Sequence, residues 1–245
     1  MLPGMDPQRS LVIAIDGPGS SGKSTVGAAV ATALGYRFCD TGLLYRAVTW
    51  LAMQRGIPES DAAGLVALVP EIALVADEQG RLLHVSVDDT DVTAAVREHD
   101  VDARVSAYAR VPELRTALLA EQRRLAADGR IVMAGRDIGT VVLPEADVKI
   151  YLDASVEERA RRRTGERGLD DVADPNGTQA AEILAYLQKR DELDRGRAVA
   201  PLRPADDAIV LNTDGNELDQ TVALVIATVR SAADRTEAPR AAVGP

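Results

Sequence analysis

Residues 11–25 read LVIAIDGPGSSGKST, and this stretch decides the fold. The apolar-rich run Leu11 to Ile15 has the length of a buried strand, the glycine-bounded segment after it breaks that strand, and Lys23, Ser24 and Thr25 open a helix. Gly17-x-x-x-x-Gly22-Lys23-Ser24 is the spacing of a phosphate-binding loop. Backbone N–H groups must converge on phosphate oxygens there, and only side-chain-poor residues in unusual dihedrals allow it. Lys23 adds a mobile positive charge, the Ser24 hydroxyl is placed to hold Mg2+, and the helix behind turns its positive end toward the same anion. A donor nucleotide is expected along Gly17, Pro18, Gly19, Ser20, Ser21, Gly22, Lys23, Ser24 and Thr25. A plain glycine-rich turn is the bland reading, and the order of strand, loop, Lys-Ser and helix tells against it.

Outward from the loop, βα units repeat. Residues 24–34 make a helix of small residues stopped by Gly35, a short strand YRFCD follows, and LLYRAVTWLAMQR is an amphipathic helix stopped by Gly56. In a doubly wound sheet the end of that second strand faces the ligand crevice, which brings Tyr45 and Arg46 near the phosphates; they read equally well as ordinary helix-surface residues. From about Ala67 to Val101 apolar and polar residues alternate around Glu78-Gln79-Gly80, which reads as a hairpin in an inserted subdomain. Helices follow, the second opened by Pro112. His84 and His99 lie here without metal-ligand spacing and read as solvated or locally bonded. RIVMAG and DVKIYLDA resume the core strands, and DDAIVLN supplies a last one. The expectation is an α/β fold: a doubly wound, five-stranded parallel sheet with helices on both faces.

Composition narrows the partners. The chain carries 38 acidic against 28 basic residues, a net charge of −10, which excludes a general affinity for nucleic acid or an acidic membrane surface. Aromatic residues are 3%, too few for base stacking on exposed rings. Cys39 is the only cysteine, so no internal disulfide forms and a reducing, cytoplasmic setting fits. No run of about 18 apolar residues is present to span a membrane. With no heptads and no long apolar edge, a monomer is expected.

Cations do cluster locally. Ser155 and Glu158 form a capping box for a helix containing Arg159, Arg161, Arg162, Arg163 and Arg167, followed by the Gly- and Asp-rich segment GLDDVADPNGT. Such a helix is either a solvated face with i,i+4 pairs or a moving arm that lays guanidinium groups on transferring phosphates. Arg190, Asp194 and Arg197 share one helical face, either as a salt-bridge ladder or as a binding stripe. Arg46, Arg136 and Arg190, which Arg115 and Arg197 could join, lie toward the same side of the sheet. Several forked cations in one crevice suit a second phosphate-bearing ligand. A phosphate monoester, with its second pKa about 6, is already nucleophilic at neutral pH, so no general base is required. Catalysis is then positioning and charge neutralisation.

The set GPGSSGKST, DTGLLYR, VSAYARVPELR, GRDIGTVVLP, VKIYLDAS-x-x-x-RARRR and KRDELDRGRAVAPL resembles the bacterial cytidylate (CMP/dCMP) kinases, from about Leu11 to Arg230. The resemblance implies phosphoryl transfer from ATP, with Mg2+, to CMP or dCMP in pyrimidine nucleotide metabolism. It further implies one kinase domain over 11–234 with a monophosphate-binding insert at about 42–114 and an Arg-rich lid at about 159–178. Residues 1–10 are expected to be a disordered leader and 235–245 a disordered tail. Carried over by position, Thr41, Tyr45 and Arg46 would line the CMP site, with Arg46 and Arg136 on its phosphate. Ser106, Arg115 and Asp137 would read the cytosine edge, Arg190 and Asp194 the sugar hydroxyls, and Arg197 the base and phosphate side. Lys23, Arg136 and the lid residues Arg161 and Arg162 would be catalytic.

Ala134 departs from the pattern, because the family usually has an acidic residue before Gly-Arg-Asp. Asp16, through water, or Asp137 would have to take over beside Ser24 at the metal. A nucleotide-binding regulatory module with weak turnover is the alternative this raises. A UMP/CMP-type kinase is the nearest sister, and the long hairpin insert speaks against it.

Overall fold

The computed structural model describes residues 10–166, 168 and 177–237; Arg167, most of GLDDVADPNGT, the expected leader up to residue 9 and the tail from residue 238 lie outside them. β1 (Val12–Asp16) leads through the glycine loop into α1 (Lys23–Leu34), and Gly35 ends α1 in the left-handed region at φ 67°. β2 (Arg37–Asp40), α2 (Gly42–Arg55) and α3 (Ala62–Leu68) follow. Then come β3 (Ile72–Ala76), β4 (Arg81–Val87), the two-residue β5 (Thr90–Asp91), α4 (His99–Tyr108) and α5 (Pro112–Ala126). The core resumes with β6 (Ile131–Gly135), a π-helical turn at Ile138–Val142, β7 (Val148–Asp153) and α6 (Val156–Glu166). α7 (Thr178–Arg195), β8 (Ile209–Asn212) and α8 (Leu218–Glu237) complete it.

The sheet order is β3-β4-β2-β6-β1-β7-β8, with β5 beside β4. The five expected core strands, β2, β6, β1, β7 and β8, run parallel. β1 and β6 read as unbroken apolar runs because helices cover both faces. On one face Ile13, Ile15, Val132 and Ala134 pack against Val26 and Val30 of α1 and Val225 and Val229 of α8. On the other Ala14, Met133 and Cys39 meet Leu125 of α5 and Ile138 and Val142 of the π turn.

The hairpin forms where the alternation placed it, with β3 and β4 antiparallel and the Asp77 carboxylate accepting the Gln79 and Arg81 N–H groups at 2.9 Å in the turn. It differs from a separate subdomain in one respect. The start of β4 lies parallel to β2, Phe38 opposite Arg81 and Cys39 opposite Leu82, so the hairpin extends the main sheet. β2 would otherwise leave an open edge, and an apolar edge strand covered by a neighbour satisfies its own backbone. The rest of the insert closes over a second core of Leu44, Val48, Leu65, Val85, Leu114 and Leu118. All five parallel strands therefore point their C-terminal ends at one crevice, with the α2–α5 region on one side of it and α6–α7 on the other.

Candidate active site

The glycine loop owes its shape to crowding. A Cβ on Gly17 would sit 2.2 Å from the Leu152 carbonyl oxygen, so no side chain fits where the loop leaves β1 against β7. Gly22, which precedes α1, holds φ 86°. The Lys23 ammonium, buried, donates to the Pro18 carbonyl at 2.9 Å, which folds it back over the loop. Burial, reinforced by Arg136 and Arg190, pushes its pKa well below the usual lysine value. That cost is relieved when an anion arrives.

The Ser24 hydroxyl donates to a carboxylate at 2.7 Å, and that carboxylate is Asp40, at the end of β2. The other oxygen of Asp40 accepts the Gly42 N–H at 3.0 Å, fixing the side chain's direction. Asp16 does not face Ser24's hydroxyl. Its two oxygens accept the Ile138 and Gly139 N–H groups at 2.7 and 2.8 Å, which caps the π turn. Asp16 is buried, and burial outweighs these bonds, pushing its pKa up to about 6. Asp137 is committed through one oxygen, which accepts from Arg115. Ala134 is fully buried, and its carbonyl accepts both the N–H and the hydroxyl of Thr41 at 3.0 and 2.9 Å. The hydroxyl and carboxylate that a divalent cation needs beside a phosphate loop are thus present as Ser24 and Asp40, and the donor set fits Mg2+.

Two cavities open on the crevice. One, of about 190 Å³, is bounded by Gly19, Ser20, Gly22, Lys23, Ser24 and Thr25 of the loop and by Arg163 and Glu166 of α6. The other, of about 70 Å³, is lined by Thr41, Tyr45, Arg46, Ser106, Arg115, Arg136, Asp137, Arg190, Asp194 and Arg197. All ten residues assigned to the acceptor from the sequence therefore converge on one wall. Asp40, Gly42, Arg46, Arg136 and Arg190 line both cavities. Asp194 gathers Arg136 at 3.0 Å, Arg197, and Ser106 at 3.4 Å. Arg115 lies 5.2 Å over the Tyr45 ring, and burial pushes the tyrosine's pKa up to about 12. The Nε atoms of Arg190 and Arg197 are buried and find no acceptor among the described residues, so the cleft holds donors in excess.

The arginines of α6 divide. Arg159 is buried and structural, bonded to Asp191 at 2.6 Å and to the Gly19 and Ala154 carbonyls at 3.0 and 3.1 Å, where it braces the loop. Arg161 is 72% exposed, bonded by both oxygens of Glu158, and lines neither cavity. Arg162 reaches over the loop to the Ser21 carbonyl at 3.5 Å and the Thr213 hydroxyl at 3.0 Å. Arg163 is the one that lines the loop-side cavity. The capping box forms by half: Ser155 accepts the Glu158 N–H at 3.2 Å, while Asp214, not Glu158, takes the Ser155 N–H at 2.8 Å. Arg167 lies outside the described residues.

Sequence reasoning passed over Asp40, Asp102 and the particular place of Arg163. Asp40 carried a usable signal, an acidic residue ending a parallel strand at the crevice edge. Asp102 carried none, since it sits in an acidic helix with nothing to separate it from Asp100.

Fold and site together define a P-loop phosphotransferase with two neighbouring cavities that share three arginines. The cytidylate kinase family profile matches residues 13–231. A cytidylate kinase of Nocardia farcinica is 44% identical over 219 residues, 89% of this chain and 93% of that one. One from Streptococcus sanguinis is 45% identical over 219 residues, 89% and 95% of the two chains. One from Streptococcus suis strain 05ZYH33 is 44% identical over 232 residues, 93% of this chain and 100% of the other. The chain belongs to the cytidylate kinase family.

Proposed function

We propose that this enzyme transfers the γ-phosphoryl group of ATP to CMP or dCMP, giving ADP and CDP or dCDP. The observation that carries the reading is the shared wall: Arg46, Arg136 and Arg190 line both the loop-side cavity and the cavity of Ser106, Arg115 and Asp137. ATP phosphates lie in the glycine loop, under Arg162 and Arg163. The acceptor phosphate lies against Arg46, Arg136 and Arg190, and Lys23 sits between the two. The acceptor oxygen is already anionic, so these residues align it for in-line attack and offset the charge on the moving group, with no base to remove a proton.

Cytosine donates from its N4 amine and accepts at N3 and O2. Asp137 supplies the acceptor and Arg115 and Ser106 the donors; uracil reverses the pattern at N4 and N3, leaving buried groups unpaired. Ser24 and Asp40 would hold Mg2+, whose positive charge would neutralise the phosphates. The acceptor cavity of about 70 Å³ is far below the roughly 300 Å³ at which ligand pockets begin, so the side chains lining it rearrange when the nucleotide enters. We read the α2–α5 region and α6–α7, which flank that cavity, as monophosphate-binding insert and lid within a single kinase domain.

Family membership and an intact Lys23, Ser24 and Asp40 favour a turning-over enzyme over a regulatory module. No helix among the described residues is long and apolar enough to cross a membrane, and we place the enzyme in the cytoplasm as a monomer. The deciding experiment is ADP release in a coupled assay with CMP, dCMP, UMP and AMP. Turnover with CMP or dCMP well above the others is expected; none with any acceptor refutes the reading.

A further inference from the structure

Asp102 stands outside every role assigned above. It lies in α4, is 2% exposed, and lines neither cavity, yet three guanidinium groups from three helices meet on its carboxylate. Oδ1 accepts from Arg46 of α2 and, at 2.9 Å, from Arg190 of α7; Oδ2 accepts from Arg163 of α6. The Asp102 carbonyl also accepts the Tyr186 hydroxyl at 2.8 Å, and that hydroxyl in turn takes an Arg190 N–H at 3.0 Å. Burial alone would raise the carboxyl's pKa, but Arg190, Arg46 and Arg163 outweigh it and hold it well below the usual carboxylate range. Asp102 is therefore charged at neutral pH.

The geometry separates its effect from that of a competitor for substrate. Asp102 touches the arginines from behind, while Arg46, Arg163 and Arg190 still border the cavities. Three cations held close around one cleft repel each other; one shared negative charge offsets this and fixes the direction of each fork. Arg163 belongs to the donor side and Arg46 and Arg190 to the acceptor side, and Asp102 is the group that bonds to all three.

We propose, on the phosphoryl-transfer reading above, that Asp102 is a positioning residue joining Arg163 of the lid to the acceptor-phosphate arginines Arg46 and Arg190. The lid helix and the acceptor region then reach their reactive arrangement together. The positive charges that bind the acceptor remain when Asp102 is neutralised, so the loss falls on turnover.

Two measurements test this on the full-length protein. In nucleotide-free protein, Asp102→Asn raises backbone hydrogen exchange in α6, and Arg163→Gln raises it in α4. In kinetics, Asp102→Asn lowers kcat about 10- to 100-fold with KM for CMP changed less than about threefold, as expected of lost alignment. Arg163→Gln also lowers kcat, and the double variant is no worse than about twofold below the poorer single, because both remove the same joint. Unchanged exchange in α6, or kcat losses that multiply, overturns the proposal. If Asp102→Asn does not fold, Arg163→Gln decides through exchange in α4, where no change overturns it. A wild-type protein without CMP turnover refutes the phosphoryl-transfer reading instead, and the exchange result still stands or falls by itself.

Discussion

Replacing Asp137 by asparagine separates base recognition from simple support of the fold. Arg115 and Asp137 are each 7% exposed and bonded to one another, and breaking a buried pair by removing one partner costs about 3–5 kcal/mol. Here the loss is smaller, because the asparagine carbonyl still accepts from Arg115, whose other contacts, the Ala109 carbonyl at 3.1 Å and the Tyr45 ring, persist. About 2 kcal/mol is expected, which in a chain of this length lowers the melting temperature by roughly 4–8 °C. For CMP the change is specific. Arg115 claims the single remaining carbonyl, the N4 amine of cytosine loses its acceptor, and kcat/KM falls about 10- to 100-fold. UMP carries a carbonyl at that position and is spared, so the CMP to UMP ratio collapses. Thermal unfolding and kcat/KM for both acceptors measure the two effects on one protein. A melting temperature that drops while the CMP to UMP ratio stays within about twofold would show that Asp137 only balances Arg115, and the recognition argument would be wrong.

Asp40→Asn keeps the bond to the Gly42 N–H but removes the charge beside Ser24. The Mg2+ concentration for half-maximal rate then rises about 10- to 100-fold, while the metal-free melting temperature falls only a few degrees; an unchanged Mg2+ dependence returns the role to another carboxylate. Asp16 titrates at about 6 in the folded protein against a reference value of 3.8. The native state therefore holds its proton over that window, and this group's contribution to stability declines as pH rises from 3.8 to 6, by about 3 kcal/mol at most. Asp16→Asn forfeits one of two backbone bonds at every pH but escapes that decline. Its destabilisation in urea titrations is thus largest near pH 4 and shrinks toward pH 7; a constant difference would refute the assignment.

What the sequence determined by itself is local or periodic. The glycine loop, the strand before it, the stop at Gly35, the Asp77–Gly80 turn and the apolar core runs rest on contacts among near neighbours, and these were legible. So was the gathering of Arg46, Arg136 and Arg190, because parallel strands deliver their C-terminal ends to one edge, whereas Thr41, Ser106 and Asp137 were assigned only through the family resemblance. The tertiary structure alone decided which charges touch. Asp40 reaches Ser24 from a neighbouring βα unit, across 16 residues of sequence. Arg161, Arg162 and Arg163 look alike in a run of arginines, yet each residue turns a helix by about 100°, so one faces solvent, one the loop and one Asp102. β4 joins β2 because an open sheet edge has backbone groups to satisfy, a demand no alternation of apolar residues expresses. Asp102 meets arginines 56, 61 and 88 residues away along the chain, and only the packing of α2, α4, α6 and α7 around the crevice brings them to it.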